Sequence, residues 1–221
     1  MRRATDLCRH APRFLCRGDG RAAGWLSGRP PAAPDYSAIR QELHRIRQRD
    51  QQIREAITAV GLESPAAVPL FKQMRGIDSV NQIYVRHLLT TTEWPARSQV
   101  GDTAAGTVFL VVQHSSRALI AQQLPALRKL VRHGEAWATD AAMMEDRLRM
   151  FSGKKQRYGT QAANWVRPDG TRVIWPIQRP ARVNRYRQQR GFPTTVEQDA
   201  AALGALYDPK ERLPSPRVIM P

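Results

Sequence analysis

Between Ile39 and Val60 the apolar residues fall at Ile39, Leu43, Ile46, Ile53, Ile57 and Val60, a spacing of fours and threes. Only an α-helix, at 3.6 residues per turn, brings such positions onto one side, so the N-terminal part of the fold is committed to a long amphipathic helix. Asp35 or Ser37, at the end of the turn-prone PPAAPDYS, supplies its N-cap. One place in the stripe is occupied by Asp50. An ionised carboxylate is costly to bury without a partner, so Asp50 must meet a cation, a set of donors or a ligand. Arg54, one turn later, is the nearest candidate. Two readings stay open, an ion pair at the core edge and a part in a binding site.

Further along, Gly61 to Pro69 breaks the helix, and a short segment at 70–74 leads into a second helix from about Asp78 to Thr91. Val80, Tyr84 and Leu88 are its expected core face, with Asp78 and Asn81 on a neighbouring strip and Asp78 also placed to cap. In WPARSQVG, Pro95 stops the helix, Gly101 permits a sharp turn, and Trp94 is expected to plug the core. The stretch DTAAGTVFLVVQH at 102–114 is small and apolar nearly all round, which suits a central buried helix, with a strand over 108–112 as the alternative. Either way it delivers Gln113 and His114 at its end. Residues 117–132 form an amphipathic helix through Leu119, Ile120, Leu124, Leu127 and Leu130, ended by Gly134. Thr139 or Asp140 caps the next, which carries Met144, Leu148 and Phe151 on one face and Asp146 and Arg147 beside it. The runs 157–165 and 172–177, joined by Pro168-Asp169-Gly170, predict a β-hairpin. Two last helices are expected near 182–189 and 196–207. The fold class is therefore mainly α, a compact helical domain over 35–208 with a small β-hairpin near residues 157–177. It lies between an Arg-rich disordered leader, 1–34, and a Pro-rich tail, 209–221.

A chain of 221 residues can bury a core without staples, and its two cysteines, Cys8 and Cys16, both fall in the leader. Disulfides and a four-ligand zinc site are not expected in the domain, which fits a reducing compartment. No run of about 18 apolar residues exists, so a soluble, cytoplasmic protein without a membrane span is expected. The net charge of +16 raises contact with nucleic acid, anionic lipid or phosphorylated molecules as a theme. Residues 147–190 concentrate it, with twelve Lys or Arg against the single acid Asp169.

The densest polar segment is DRLRMFSGKKQRYGTQ, 146–161. Asp146, Arg147, Gln156, Tyr158, Thr160 and Gln161 offer a carboxylate, a guanidinium, two amides and two hydroxyls, which suit a polar ligand better than an apolar core. No phosphate loop, dinucleotide fingerprint, HExxH or GxSxG motif occurs, and no cysteine lies near His114. What remains is a metal-free and cofactor-free acid–base site. In it His114, Asp50 or Asp146 moves a proton, Arg54 or Arg147 holds an anionic group, and Gln156, Tyr158 and Gln161 orient the substrate. A metal held by Asp50, His114 and Asp146 is not favoured by any ligand spacing.

The order of these signals resembles a bacterial family known only as a domain of unknown function, over roughly Asp35 to Tyr207. Asp50-Gln51 with Arg54, Asp78 and Asn81 before TEWPARSQVG, VVQH at 111–114, EDRLRMFSGKKQRYGTQ, and WPI followed by Asn184, Arg185 and Gly191 carry the resemblance. GKKQRYGTQ is the specific run. The resemblance implies a largely helical domain in which Asp50, Arg54, Asp78, Asn81, Gln113, His114, Asp146, Arg147, Gln156, Tyr158, Thr160 and Gln161 match recurring polar positions. It brings no activity with it. The chain departs from the family near Gln178 and Asn184, where acidic residues are expected, and at Ser115, where Ala is usual. The expected function is thus a metal-independent hydrolase or transferase acting on a small anionic or polar substrate. The alternative is a non-enzymatic module whose basic surface at 147–190 contacts nucleic acid or an acidic partner.

Overall fold

Asp35 caps the first helix as its position requires, its carboxylate accepting from the backbone N–H groups of Ser37 and Ala38 at 3.0 and 3.1 Å. In the computed structural model, which describes residues 33–61 and 64–214, α1 then runs from Tyr36–Val60 without interruption. Leu43, Ile46, Asp50, Ile53 and Ile57 are its buried residues, while Val60, the last of the stripe, is exposed where the helix ends. The expected leader, 1–34, lies outside the described residues except for its last two positions.

The second helix is longer than its sequence suggests. α2 spans Ala67–Thr91, passing through both Pro69 and Gly76. Pro69 is the third helical residue, where a backbone N–H has no intrahelical acceptor in any case, so the missing donor costs nothing. The buried face is also rotated from the expected one. Asn81, Val85, Leu88 and Leu89 point inward, Tyr84 is half-buried, and Val80 is exposed. As a result Asp78 does not cap a helix; it lies mid-helix and faces α1.

After the buried plug Trp94 come α3, Arg97–Val100, and α4, Asp102–Gln113. α4 is helical rather than a strand, and it is the hub, packing on α1, α2, α3, α5 (Arg117–Arg132) and α6 (Ala138–Phe151). Its near-uniform apolar surface follows from being covered on most sides: Ala104, Ala105, Val108, Phe109, Val111 and Val112 are all buried. α6 has no side-chain cap; it starts one residue before Thr139, after Trp137, and Asp140 lies in its first turn. There burial raises the Asp140 carboxyl to about 7.

The hairpin is present but short, β1 at Ala162–Val166 antiparallel to β2 at Arg172–Ile174. Residues 157–161 form a loop rather than strand. α7 (Val183–Gln189) and α8 (Val196–Ala202) follow, and α8 stops five residues short of the expected end. Ile174, Ile177, Val183, Val196 and Ala200 form a second small core between hairpin and helices. Gly159 belongs to its wall. With φ of 71° and Val196 Cγ2 only 2.5 Å from where a Cβ would stand, any other residue would be strained and would have to displace Val196. No helix among the described residues is long and apolar enough to cross a membrane.

Candidate functional site

The polar residues singled out by sequence gather in two places. The first is the loop after α6. Asp146 is wholly buried, and its carboxylate accepts from the backbone N–H groups of Arg157 (2.7 Å), Tyr158 (3.0 Å) and Thr160 (3.2 Å) and from Thr160 Oγ1 (3.1 Å). Desolvation still raises its carboxyl to about 6 against those donors. Gln156, also fully buried, accepts from Gln161 N through Oε1 at 3.0 Å and donates through Nε2 to the carbonyls of Gln161 (3.0 Å) and Trp175 (2.6 Å). Gln161 Nε2 donates to Thr160 Oγ1 at 3.0 Å. Tyr158 is buried beside Phe192, and its carbonyl accepts from Arg187 Nη1 at 2.9 Å. These atoms are spent on one another. The network shapes the loop that joins α6 to the hairpin.

The second place is the junction of α1, α2 and α4. Arg54 Nε lies 3.0 Å from both oxygens of Asp50, and its Nη2 lies 2.8 Å from Asp50 Oδ1 and 3.4 Å from Asp78 Oδ1. Gln51 Nε2 donates to Asp50 Oδ2 at 2.8 Å, so the buried break in the α1 stripe is compensated by a guanidinium and an amide. Beside this ion pair a cleft is lined by Asp50, Arg54, Asp78, Asn81, Gln82 and His114 over Leu110 and Val111. It encloses about 10 Å³, the room of roughly one water. Gln82 Nε2 donates to the His114 carbonyl at 3.3 Å, holding the end of α4 against α2.

α6 carries Arg147, which does not line this cleft but acts on His114 through its charge. Asp146 and Arg147 are consecutive, about 100° apart around the helix, which is why one enters the loop network and the other does not. Desolvation, then the positive charge of Arg54, lowers the Arg147 guanidinium to about 10. Burial and the charges of Arg147 and Arg54, opposed by Asp50, lower the His114 imidazole to about 4. His114 as a residue is exposed, so water relieves part of that desolvation, and the direction rests on the two guanidinium groups. Burial raises Asp78 as well, with Arg54 pulling against it.

Three buried polar atoms have no hydrogen-bond partner among the described residues: Asn81 Oδ1, Gln113 Oε1 and Arg147 Nε. Asn81 lines the cleft; Gln113, next to His114 in the chain, does not. Arg147 therefore differs from the other interior arginine. Arg187, only 1 % exposed, donates to Thr194 O, Thr194 Oγ1 and Tyr158 O and pairs with Asp199.

Of the residues nominated by sequence, Asp50, Arg54, Asn81 and His114 thus share one cleft, with Arg147 coupled to it by charge. Asp146, Gln156, Tyr158, Thr160 and Gln161 form the separate loop network. Gln82 was missed; it stands four residues after Asp78, so the i, i+3, i+4 set Asp78, Asn81 and Gln82 was the signal for it. The Arg187–Asp199 pair was missed too, and nothing in its spacing announces it. Among the described residues no group of three or more His, Cys, Asp and Glu side chains is placed to hold a metal ion. Residues 37–208 match the model of a family described as a family of unknown function, DUF6624. No curated protein and no solved structure matches the chain.

Proposed function

The chain belongs to the DUF6624 family of unknown function, and we propose that its domain binds a small anionic ligand at Arg147, Arg54 and His114. The ligand is then the substrate of a metal-independent hydrolysis or transfer. Arg147 carries this reading. Its Nε is shut off from solvent without an acceptor, and the charge it feels most is another cation. A half-buried cation without a counter-ion among the described residues is costly, and a carboxylate or phosphate group, whose oxygens accept a guanidinium fork, supplies what is missing. Arg54 is already engaged by Asp50, so among the described residues the unmatched charge sits at Arg147.

His114 suits the proton-transfer role because burial and the neighbouring guanidinium groups keep it neutral throughout the range around pH 7. A neutral imidazole accepts a proton from water or a substrate hydroxyl and returns it to the leaving group. Anion binding adds negative charge beside it, which raises its proton affinity toward the useful range, so occupancy and base strength rise together. The cleft holds about one water in this form, so ligand entry requires side chains such as Arg54 or Gln82 to move aside.

Thermal melts and titration calorimetry with inorganic phosphate, pyrophosphate and acetate test the binding step. Wild type is expected to gain stability with at least one of them, and Arg147→Met to lose that gain. Equal gains in both proteins refute the site. Hydrolysis of phosphate and carboxylate esters, compared with His114→Ala, tests the chemical step; activity that survives the substitution removes His114 as the base.

A further inference from the structure

A second cavity, of about 260 Å³, opens between the end of α6 and α7 and is lined by Arg149, Arg157, Gln178, Arg179 and Tyr186. Its cations are held by neutral acceptors. Arg149 donates to the Lys155 carbonyl at 2.6 Å and to Gln178 Oε1 at 3.4 Å, and Arg179 donates to the Tyr186 hydroxyl at 3.3 Å. Only Arg157 meets a carboxylate, Glu145 at 3.0 Å, and Glu145 is shared with Arg128 at 2.7 Å. Arg179 and then Arg182 act on the Tyr186 phenol and lower its pKa, which places Arg182 at the same rim. Lys155 and Arg182 are exposed. Arg149, Arg157 and Arg179 thus line the cavity with one half-buried aromatic ring, Arg182 acts on that ring from the edge, the exposed Lys155 follows the same loop, and among the described residues the one acid paired with the lining cations is Glu145.

We infer that this rim is a binding surface for a nucleic-acid strand, its phosphates on the guanidinium groups and a base against Tyr186. A small phosphate ester would need one or two cations. Three cations lining a cavity with two more beside it, on a stretch where only Asp169 opposes twelve basic residues, suit a repeating polyanion. An aromatic ring interleaved with cations is the arrangement by which single strands are held without base-specific contacts. This surface shares no lining residue with the cleft at Arg54 and His114 and stands or falls independently of it.

Fluorescence anisotropy with labelled 12-nucleotide RNA and DNA strands, using the full chain across a salt series, tests the inference. Replacing Arg149 and Arg179 together by Gln removes two phosphate contacts. The slope of log affinity against log salt should then fall by about 1.4, and binding at 0.1 M salt should weaken roughly twentyfold. The exposed pair Lys155→Gln with Arg182→Gln should give a similar loss and does so without touching loop contacts, should the first variant fold poorly. A slope and affinity unchanged in both double variants place any binding elsewhere, on the Arg-rich first 34 residues for example, and overturn the inference. So does displacement of the strand by millimolar inorganic phosphate at constant ionic strength, which marks a small-phosphate site.

Discussion

Replacing Arg147 by Met should make the protein more stable. Burial and Arg54 lower the Arg147 guanidinium from its ordinary value to about 10, and at 1.36 kcal/mol per decade this is ~3 kcal/mol of unfavourable charge in the folded state. The residue keeps some exposed surface, so water screens part of it, and a net ~1–2 kcal/mol is the reasonable expectation. Met retains the unbranched apolar stem and little packing is lost. For a domain of this size each kcal/mol moves the melting temperature by about 2–4 °C, so the variant should melt ~2–8 °C higher at pH 7 in anion-free, low-salt buffer. Adding a saturating anion should reverse the order. An anion at a hundred times its dissociation constant contributes about 2.7 kcal/mol to wild type and nothing to the variant. Differential scanning calorimetry in both buffers reads the pair of values. A variant that melts below wild type without anion shows that Arg147 already has a stabilising partner, and the argument for an anion site fails with it.

Other consequences can be checked separately. The His114 imidazole lies below its free value of 6.5, at about 4; its contribution is complete above pH 6.5 and lost as pH falls through that window. Unfolding midpoints of His114→Gln should therefore lose less stability than wild type between pH 6.5 and 4, and parallel curves would remove the imidazole from the pH response. Asp146 behaves oppositely, since its carboxyl is raised to about 6: its contribution is greatest at low pH and declines as pH rises from 3.8 to about 6. Asp146→Ala leaves three backbone donors and a hydroxyl without their acceptor and should cost ~3–5 kcal/mol in urea unfolding. A loss below ~1 kcal/mol would mean that the loop re-forms its bonds without the carboxylate. Gly159→Ala should cost ~2–4 kcal/mol, from a left-handed backbone and a Cβ driven into Val196, and a neutral melt would contradict the packing.

The helices could be read from the chain because each is local. The stripe from Ile39 to Ile57, the all-round apolar run at 102–113 and the repeat from Leu119 to Leu127 required helices at α1, α4 and α5, and the structure has them there. Asp50 likewise declared its need for Arg54, because a carboxylate in an apolar stripe has few ways to be tolerated. The rotation of α2 was not legible. Val80 and Asn81 are neighbours in sequence, and which of them faces α1 and α4 depends on how two helices dock, a matter of about 100° that periodicity with few apolar residues leaves loose. The polar loop at 154–161 is the clearest case. Its residues advertised a ligand site, yet most of their donors and acceptors are turned onto Asp146 and Gln156, while Arg147, before the loop on α6, is coupled by charge to Arg54 and His114. Composition specifies which groups need partners. Only the packing of α6 decided which of two adjacent charged side chains found its partners in the loop and which kept an Nε without one among the described residues.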